Sequence, residues 1–569
     1  MTSPTITVPG KTSKTPFSAA CLLIGFFCLY LFTSPAKLPG GDEAILLGVA
    51  DRVAHYGFSW LPPGMNFTKT FSSYGFYPDG FSKYGLGQSL IDMAVVRAFR
   101  SARKARDAQA YIFSVLTVYA LAAFTGALVN VLFFLTCLKL GLRPGAGFFL
   151  TLVLGLTTMV WPYSQTLFSD PTLGLTWLLA LFAFLSYKTS GRRFWLAVAG
   201  GAIGFAVLTK IVAAYAVPIF AAYFIYLAAG EYRSLKGSGA KSPLTGPCRS
   251  AFWFLAPLLA MGYTVLWYNH LRYGSYFALG YLDGRTYDVR DTMFGFNVAF
   301  PVGLYGQLLS SGKGFFFYNP STVLAFFGWR DFYRRNSAEG LVLLSMIVGM
   351  IVIYSTWYGW HGDWSWGPRY LSCLPPFFLL LAGPFVERII DHWRARQPGH
   401  RRAPVLVSLL LAVSLAVQIP GLCIKSEHYI QTVAAVGVFP GKFFDADWPI
   451  RDDSLQLHFI PEFSPLAGHL WMMRVIFHRG DEQGMKIFQS PPWKTLNTLW
   501  IPKVINTAHF QYNVWWLNAR AAGLPGAGKT AAVAFLLGLL SLGALGTGLR
   551  AAWKSARPPT GHAGMEYND

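Results

Sequence analysis

The chain alternates long apolar runs with short polar connectors, and the connectors are mostly basic. Stretches such as 111–138 (YIFSVLTVYALAAFTGALVNVLFFLTCL), 404–419 and 531–546 contain no charged residue. An amphipathic surface helix would interleave a charged face, so these runs read as membrane spans. Spans are predicted near 17–33, 111–138, 146–161, 171–187, 194–209, 211–228, 251–268, 315–328, 340–356, 370–386, 404–421 and 528–549, about twelve crossings in all. The fold class is therefore an all-α polytopic membrane protein.

The connectors set the orientation. With a cytoplasmic N-terminus, the inner loops carry Lys139/Arg143, Lys188/Arg192/Arg193, Arg233/Lys236/Lys241/Arg249, Arg330/Arg334/Arg335 and Arg388/Arg394/Arg396/Arg401/Arg402. The opposite loop 162–170 (PYSQTLFSD) has no Lys or Arg, and 357–369 has one, as the positive-inside rule requires. Arg97, Arg100, Arg103, Lys104 and Arg106 fall on the outer side, and an interfacial helix accommodates them better than a crossing interrupted by Gln88 and Asp92. The organisation that follows is a cytoplasmic tail (1–16), a transmembrane core (17–421) with long outer loops 34–110 and 269–314, and an interfacial segment or small outer domain (422–527). A last transmembrane helix (528–549) and a second cytoplasmic tail (550–569) complete it. The segment 422–527 is rich in Trp, which prefers the membrane–water boundary.

Composition agrees: of 569 residues, 53% are hydrophobic, 17% aromatic and only 13% charged. The net charge of +21 suggests nucleic acid only if it forms one continuous surface, and here it is dispersed among short loops. The six cysteines show no metal-like spacing, although Cys373 and Cys423 both lie near the outer surface, where a bridge between them is feasible. Gly523–Thr530 (GLPGAGKT) satisfies the phosphate-loop pattern, but an apolar span follows it and no strand–helix context precedes it, so no nucleotide triphosphate is expected. Asn66-Phe67-Thr68 fits a glycosylation sequon.

A transporter holds its ionisable groups near the bilayer midplane. These spans have almost no interior carboxylates, and Asn130 reads as an interhelical hydrogen bond. The acids instead cluster past helix ends on the outer side: Asp42 and Glu43 in Gly40-Gly41-Asp42-Glu43, then Asp170 and Asp363. A carboxylate beside an apolar surface is a candidate general base toward a hydroxyl. The loop 357–370 (WYGWHGDWSWGPRY) sets four Trp beside His361, Asp363 and Arg369, and flat aromatic faces with polar groups suit a sugar or an isoprenoid tail. Arg369 at the mouth of a span can hold a phosphate, or equally pair with carbonyls or a lipid headgroup. Lys313, between glycines in SSGKGFFFYNP, is a second phosphate candidate; Lys83 and Lys210 are further cations that can also snorkel to headgroups. Tyr163, in the loop before Asp170, completes the candidate set.

These residues resemble the GT-C superfamily of membrane glycosyltransferases. The Asp-Glu pair in the first outer loop and the many helices are similar to protein O-mannosyltransferases and lipid A aminoarabinose transferases, over roughly residues 17–421. The WYGWHGDWSWGPRYL and SSGKGFFFYNP stretches are also similar to segments of bacterial members of that superfamily. The resemblance implies a GT-C-like helical bundle that takes a sugar from a polyprenyl-phosphate carrier and gives it to an extracytoplasmic acceptor hydroxyl, usually with inversion. It implies Asp42 as the catalytic acid position with Glu43 its neighbour. Arg369 and Lys313 would then stabilise the departing phosphate, and Asp170 and Asp363 would serve sugar hydroxyls or a metal. The chain lacks the large β-rich insertion of O-mannosyltransferases, which favours a lipid or glycan acceptor over a protein. No cofactor is implied, although a divalent metal is compatible, and the expected place is a bacterial inner membrane with the site facing outward. The competing reading is a transporter or flippase of a lipid-linked substrate, and a further one is a noncatalytic assembly partner of envelope glycan enzymes.

Overall fold

The computed structural model describes residues 14–57, 82–279, 295–362, 364–395, 402–435, 458–478, 482–488 and 510–554. These are helical almost throughout, and the one β-type contact among them is an isolated bridge between Pro35 and Val514. Eight helices have the length and composition of a membrane crossing: Thr15–Phe32, Ala108–Lys139, Ser169–Ser190, Ile211–Gly237 (its first turn tightened into a 3₁₀ helix), Thr245–Tyr273, Ser337–Thr356, Arg402–Cys423 and Ala527–Lys554. Pro144–Thr157 and Phe194–Thr209 are apolar but shorter. The protein is thus a multi-pass integral membrane protein.

Two of the predicted spans need correction. Residues 315–328 do not form one helix: a single turn, Phe315–Tyr318, is followed by a 3₁₀ turn, Pro320–Leu324, and then by Ala325–Arg335. Pro320 supplies no N–H and Asn319 leaves the helical region at φ −134°, so the chain breaks there. Pro375–Ala395 is apolar only over its first half, because Glu387, Arg388, Asp391 and Arg394 occupy its last turns. Eight helices, rather than twelve, therefore meet the full criterion among the described residues. Residues 86–104 do not cross: they form two short helices, Leu86–Asp92 and Val96–Lys104, joined by a 3₁₀ turn. The second buries Val96, Phe99 and Ala102 against the long helix Ala108–Lys139 and leaves Arg103 and Lys104 exposed.

Thr15–Phe32 lies along both Ala527–Lys554 and Ala108–Lys139, while Phe194–Thr209 is held between Ser169–Ser190 and Thr245–Tyr273. The main core surrounds Trp177 and Phe184, both fully buried. The outward faces of Thr245–Tyr273, Arg402–Cys423 and Ala527–Lys554 keep Phe252, Leu259, Leu406, Leu409, Leu536 and Leu542 exposed, as a lipid-facing surface requires. Because lipid is as apolar as those side chains, helix association rests on close packing and internal hydrogen bonds. Asn130 acts in that way: its Nδ2 donates to Tyr30 Oη at 2.8 Å, and Tyr30 donates to the Gly155 carbonyl at 3.1 Å, joining three helices.

The two ends of the bundle differ. At one end, Arg143 grips Asp391 at 2.8 Å, Lys188 meets Glu339 at 2.7 Å, and Arg193 meets Glu231 at 2.9 Å. The N-terminus of Ser169–Ser190, and with it Asp170, lies at the other end. There a separate apolar cluster forms around Tyr429, Phe463, Trp471, Met472 and Phe510, within the segment 422–527. Trp515 and Trp516 donate their indole N–H groups to the carbonyls of Leu31 and Phe32, at the C-terminal end of the first helix. The six cysteines form no disulfide; Cys373 is buried against Gly174, and a Cys373–Cys423 bridge is absent. The glycine-rich 523–530 motif follows a helix, Trp515–Ala521, and enters the span Ala527–Lys554, so it is no phosphate loop. The sequon at Asn66 lies outside the described residues.

Replacing Asn130 with Leu removes its hydrogen bond to Tyr30 from this three-helix joint, and a loss of about 1 kcal/mol is expected. Thermal unfolding of the detergent-solubilised protein measures it, and an unchanged midpoint would contradict the joint's role.

Candidate functional site

The acidic pair is not in a loop. Gly41, at φ +54°, starts the helix Gly41–Tyr56 from a left-handed conformation that favours glycine, and Asp42 and Glu43 fall in its first turn. Carboxylates there meet the unpaired N–H groups and the positive end of the helix dipole. Asp170 occupies the corresponding place in Ser169–Ser190.

Arg369 joins the two. It begins the 3₁₀ turn Arg369–Leu371 after the tryptophan-rich loop. Its Nη2 lies 2.8 Å from Asp42 Oδ2 and its Nε 3.8 Å from Asp170 Oδ2, with the guanidinium 4.5 Å over the Phe168 ring. Lys210, between Phe194–Thr209 and the next helix, donates from Nζ to Asp170 Oδ1 at 2.6 Å and sits 4.3 Å over the Tyr370 ring. Tyr370 in turn stacks on Tyr354 with centroids 4.3 Å apart. The result is a continuous row, Asp42, Arg369, Asp170 and Lys210, with alternating charge. Asp170 is 2% exposed at its side chain and Arg369 8%, whereas Asp42 is 25% exposed, so Asp42 is the more accessible of the two carboxylates.

The environment tunes these groups in opposite directions. Burial pushes Asp42 upward, but Arg369, Lys83 and a hydrogen bond from Tyr84 outweigh it and hold the carboxyl below its ordinary range. Glu43 is different: burial dominates and raises it to about 7, against the Leu167 N–H that donates to its Oε1 at 2.6 Å. That bond ties the first turn of the Asp42 helix to the segment leading into Asp170. Burial also lowers Lys210, with Asp170 opposing.

Beside the row opens a cleft lined by Lys83, Tyr84, Lys210, Tyr268, Asn269 and Arg272 among others. Its wall is built by close backbone approach: a Cβ on Gly85 would collide with the Leu208 and Thr209 carbonyls. Arg272 fixes the same segment, donating to the carbonyls of Ser82 at 2.6 Å and Tyr84 at 2.8 Å and to Asn269 Oδ1 at 2.7 Å. Lys83 and Lys210 therefore face one opening.

The remaining candidates take other positions. Lys313 is fully buried, and its ammonium donates to the carbonyls of Ser365 at 2.8 Å and Gly367 at 3.2 Å. It clamps the tryptophan loop, and the cleft cations are Lys83 and Lys210 instead. Tyr163 is buried and donates to the Trp366 carbonyl at 3.0 Å, supporting the same loop from beneath. His361 stacks on His458, centroids 4.9 Å apart. Asp363 lies outside the described residues. Among the described residues, no group of three or more His, Cys, Asp or Glu is close enough to hold a metal ion. Sequence reasoning left Lys210 as a snorkelling cation and passed over Tyr84 and Arg272; the signal for Lys210 was a lone charge between two apolar helices.

Residues 103–266 match the model of a family described as dolichyl-phosphate-mannose-protein mannosyltransferase. The chain is a membrane glycosyltransferase. The likeness to GT-C enzymes read from the sequence holds over that segment, which includes Asp170 and Lys210. No sequence among curated proteins matches. Among solved structures, the enzyme is similar to ArnT from Cupriavidus metallidurans bound to undecaprenyl phosphate, at 14% identity and a TM-score of 0.45, covering 94% of this chain and 77% of that one. It is also similar to the archaeal oligosaccharyltransferase AglB from Archaeoglobus fulgidus in complex with an inhibitory peptide and a dolichol-phosphate, at 14% identity and a TM-score of 0.31, covering 95% and 55%. Overlaps this loose transfer no residue role to the glycosyltransferase.

Arg369→Lys leaves a point charge that reaches one carboxylate where the guanidinium fork reaches both, so sugar transfer is expected to fall at least about tenfold. Lys313→Met is expected to lower the unfolding midpoint through the clamped loop and to leave donor affinity within about twofold. Donor titration and thermal melts on both variants check the distinction; equal loss of donor affinity in the two would contradict it.

Proposed function

We propose that the enzyme moves a sugar from a polyprenyl-phosphate carrier to a lipid or glycan hydroxyl on the extracytoplasmic side of a bacterial inner membrane. The observation that carries this reading is the Asp42–Arg369–Asp170–Lys210 row, whose last member, Lys210, also lines the cleft that holds Lys83. The matched family is described by a polyprenyl-phosphate sugar donor, and the dispersed basic loops at the far end of the bundle support an outward-facing site.

The donor phosphate sits in the cleft against Lys83 and Lys210, where two ammonium groups take up the charge that develops as the carrier departs. The same phosphate competes with Asp42 for Arg369. As Arg369 turns toward it, Asp42 loses the cation that depresses its basicity and becomes a better proton acceptor. The acceptor hydroxyl oxygen then attacks the sugar anomeric carbon, its proton passes to Asp42, and the electron pair of the breaking carbon–oxygen bond leaves with the phosphate. A single displacement of this kind inverts the anomeric configuration. Asp170 keeps Lys210 in place throughout and remains beside Arg369 as it turns, and Arg272 holds the Lys83 arm.

Purified enzyme in detergent, given a radiolabelled polyprenyl-phosphate sugar and acceptor, tests the assignment. Asp42→Asn is expected to lose about 10²-fold or more in turnover while still binding donor, and Lys210→Ala is expected to raise the donor KM. Undiminished transfer by Asp42→Asn would remove the base.

A further inference from the structure

Behind Asp42 lies a polar group that the transfer step does not use. Asp92 ends the short helix Leu86–Asp92 and is fully buried. Its Oδ1 accepts from Gln88 Nε2 at 2.8 Å, and Gln88 Oε1 accepts from Thr172 Oγ1 at 2.6 Å, two residues past Asp170. From the same helix, Ser89 donates to the Leu46 carbonyl at 2.9 Å, in the helix that carries Asp42. The short helix is thus hydrogen-bonded to both carboxylate-bearing helices, and the Lys83–Tyr84 arm leads directly into it. Asp92 Oδ2 is buried and meets no hydrogen-bond partner among the described residues. An ionised carboxylate there would leave a bare charge in an apolar site, at a cost of several kcal/mol, whereas a neutral acid leaves only a hydroxyl.

We propose that Asp92 is a positioning residue that works as the neutral acid: its proton keeps the helix Leu86–Asp92 seated between the Asp42 and Asp170 helices, and loss of that proton unseats the Lys83–Tyr84 arm and shuts transfer. This rests on the sugar-transfer reading for its consequence but not for its protonation. The surroundings support it. Burial, followed by the nearby Glu43 charge, raises Asp92 to about 8 against the Gln88 hydrogen bond. On the packed helices, Asp51 pairs with Arg100 and Asp170 with Lys210, while Tyr119 lies near Glu43. Phe194–Thr209 contributes no titratable side chain. Glu43 is therefore the charge that reaches Asp92, and it opposes ionisation.

Two measurements on the full-length protein in detergent test this. Wild-type transfer is expected to fall about tenfold between pH 7 and pH 9, as a group titrating near 8 loses its proton. Asp92→Asn, which mimics the neutral acid, should stay within about twofold of wild type at pH 7 and lose less than about threefold by pH 9. Gln88→Met removes a bond that favours the charged form, so its alkaline limb should move up by about half a pH unit. Melting gives a readout independent of activity. Because the folded-state value is raised, the stability from Asp92 is full below about pH 4 and is lost as pH climbs toward about 8. The unfolding midpoint of Asp92→Asn should therefore decline less than that of wild type between pH 5 and pH 8. Parallel melting profiles, an unchanged alkaline limb in Asp92→Asn, or a Gln88→Met limb that stays or moves down would each overturn the proposal. A wild type without transfer would sink the sugar-transfer reading instead, and the melting comparison would still decide the protonation of Asp92.

Discussion

Two carboxylates at helix N-termini, brought within reach of one guanidinium, are the constraint on which the rest of that end of the bundle depends. Asp42 and Asp170 belong to helices far apart in sequence, and without Arg369 between them their charges would repel in a poorly solvated setting. Arg is suited to the place because its planar fork presents separate N–H groups to two acceptors and stacks on Phe168 at the same time. Lys210 completes the neutralisation on the far side of Asp170, so the row carries two charges of each sign. A buried arrangement of this type adds little to stability by itself, but breaking it by removal of one member leaves an uncompensated charge.

Much of the surrounding architecture serves to hold that row. Lys313 and Tyr163 bind carbonyls of the loop that delivers Arg369, and Gly362 and Gly367 take φ +67° and +61° to let the loop turn. A side chain at Gly367 would strike the Tyr318 ring. Arg272 spends its guanidinium on carbonyls of Ser82 and Tyr84, which costs the cleft a cation but fixes the arm that bears one. Glu43, through the Leu167 N–H, and Ser89, through the Leu46 carbonyl, fasten the Asp42 helix to its neighbours. Charge that reads as substrate-binding in a sequence is here divided between groups that face the cleft and groups that satisfy backbone.

The same distinction separates the two ends of the molecule. At the end rich in Lys and Arg, acids such as Glu387 and Glu339 are met by the partly exposed bases Arg143 and Lys188, and Arg193 meets Glu231. Pairs whose cation stays this exposed contribute modestly and mainly fix helix ends. At the other end the pairs are buried and one carboxylate stays accessible, which is the asymmetry a catalytic face requires.

The sequence by itself determined the helical class, the membrane setting and the positions of most spans. Those follow from local apolar periodicity and from charges whose placement between spans is visible along the chain. It also named Asp42, Asp170 and Arg369 among its candidates, because the acids gather past helix ends while the spans hold almost none, and Arg369 follows the tryptophan-rich loop at the mouth of a span. Tertiary structure alone decided that these three touch, that Lys313 is a clamp, that Lys210 and Lys83 share a cleft, and that 315–328 breaks at Pro320. Whether a given ammonium meets a carboxylate, a carbonyl or open space depends on which helices pack side by side. In an apolar bundle that is set by shape and by interhelical hydrogen bonds such as that of Asn130, and no periodicity along the chain encodes it.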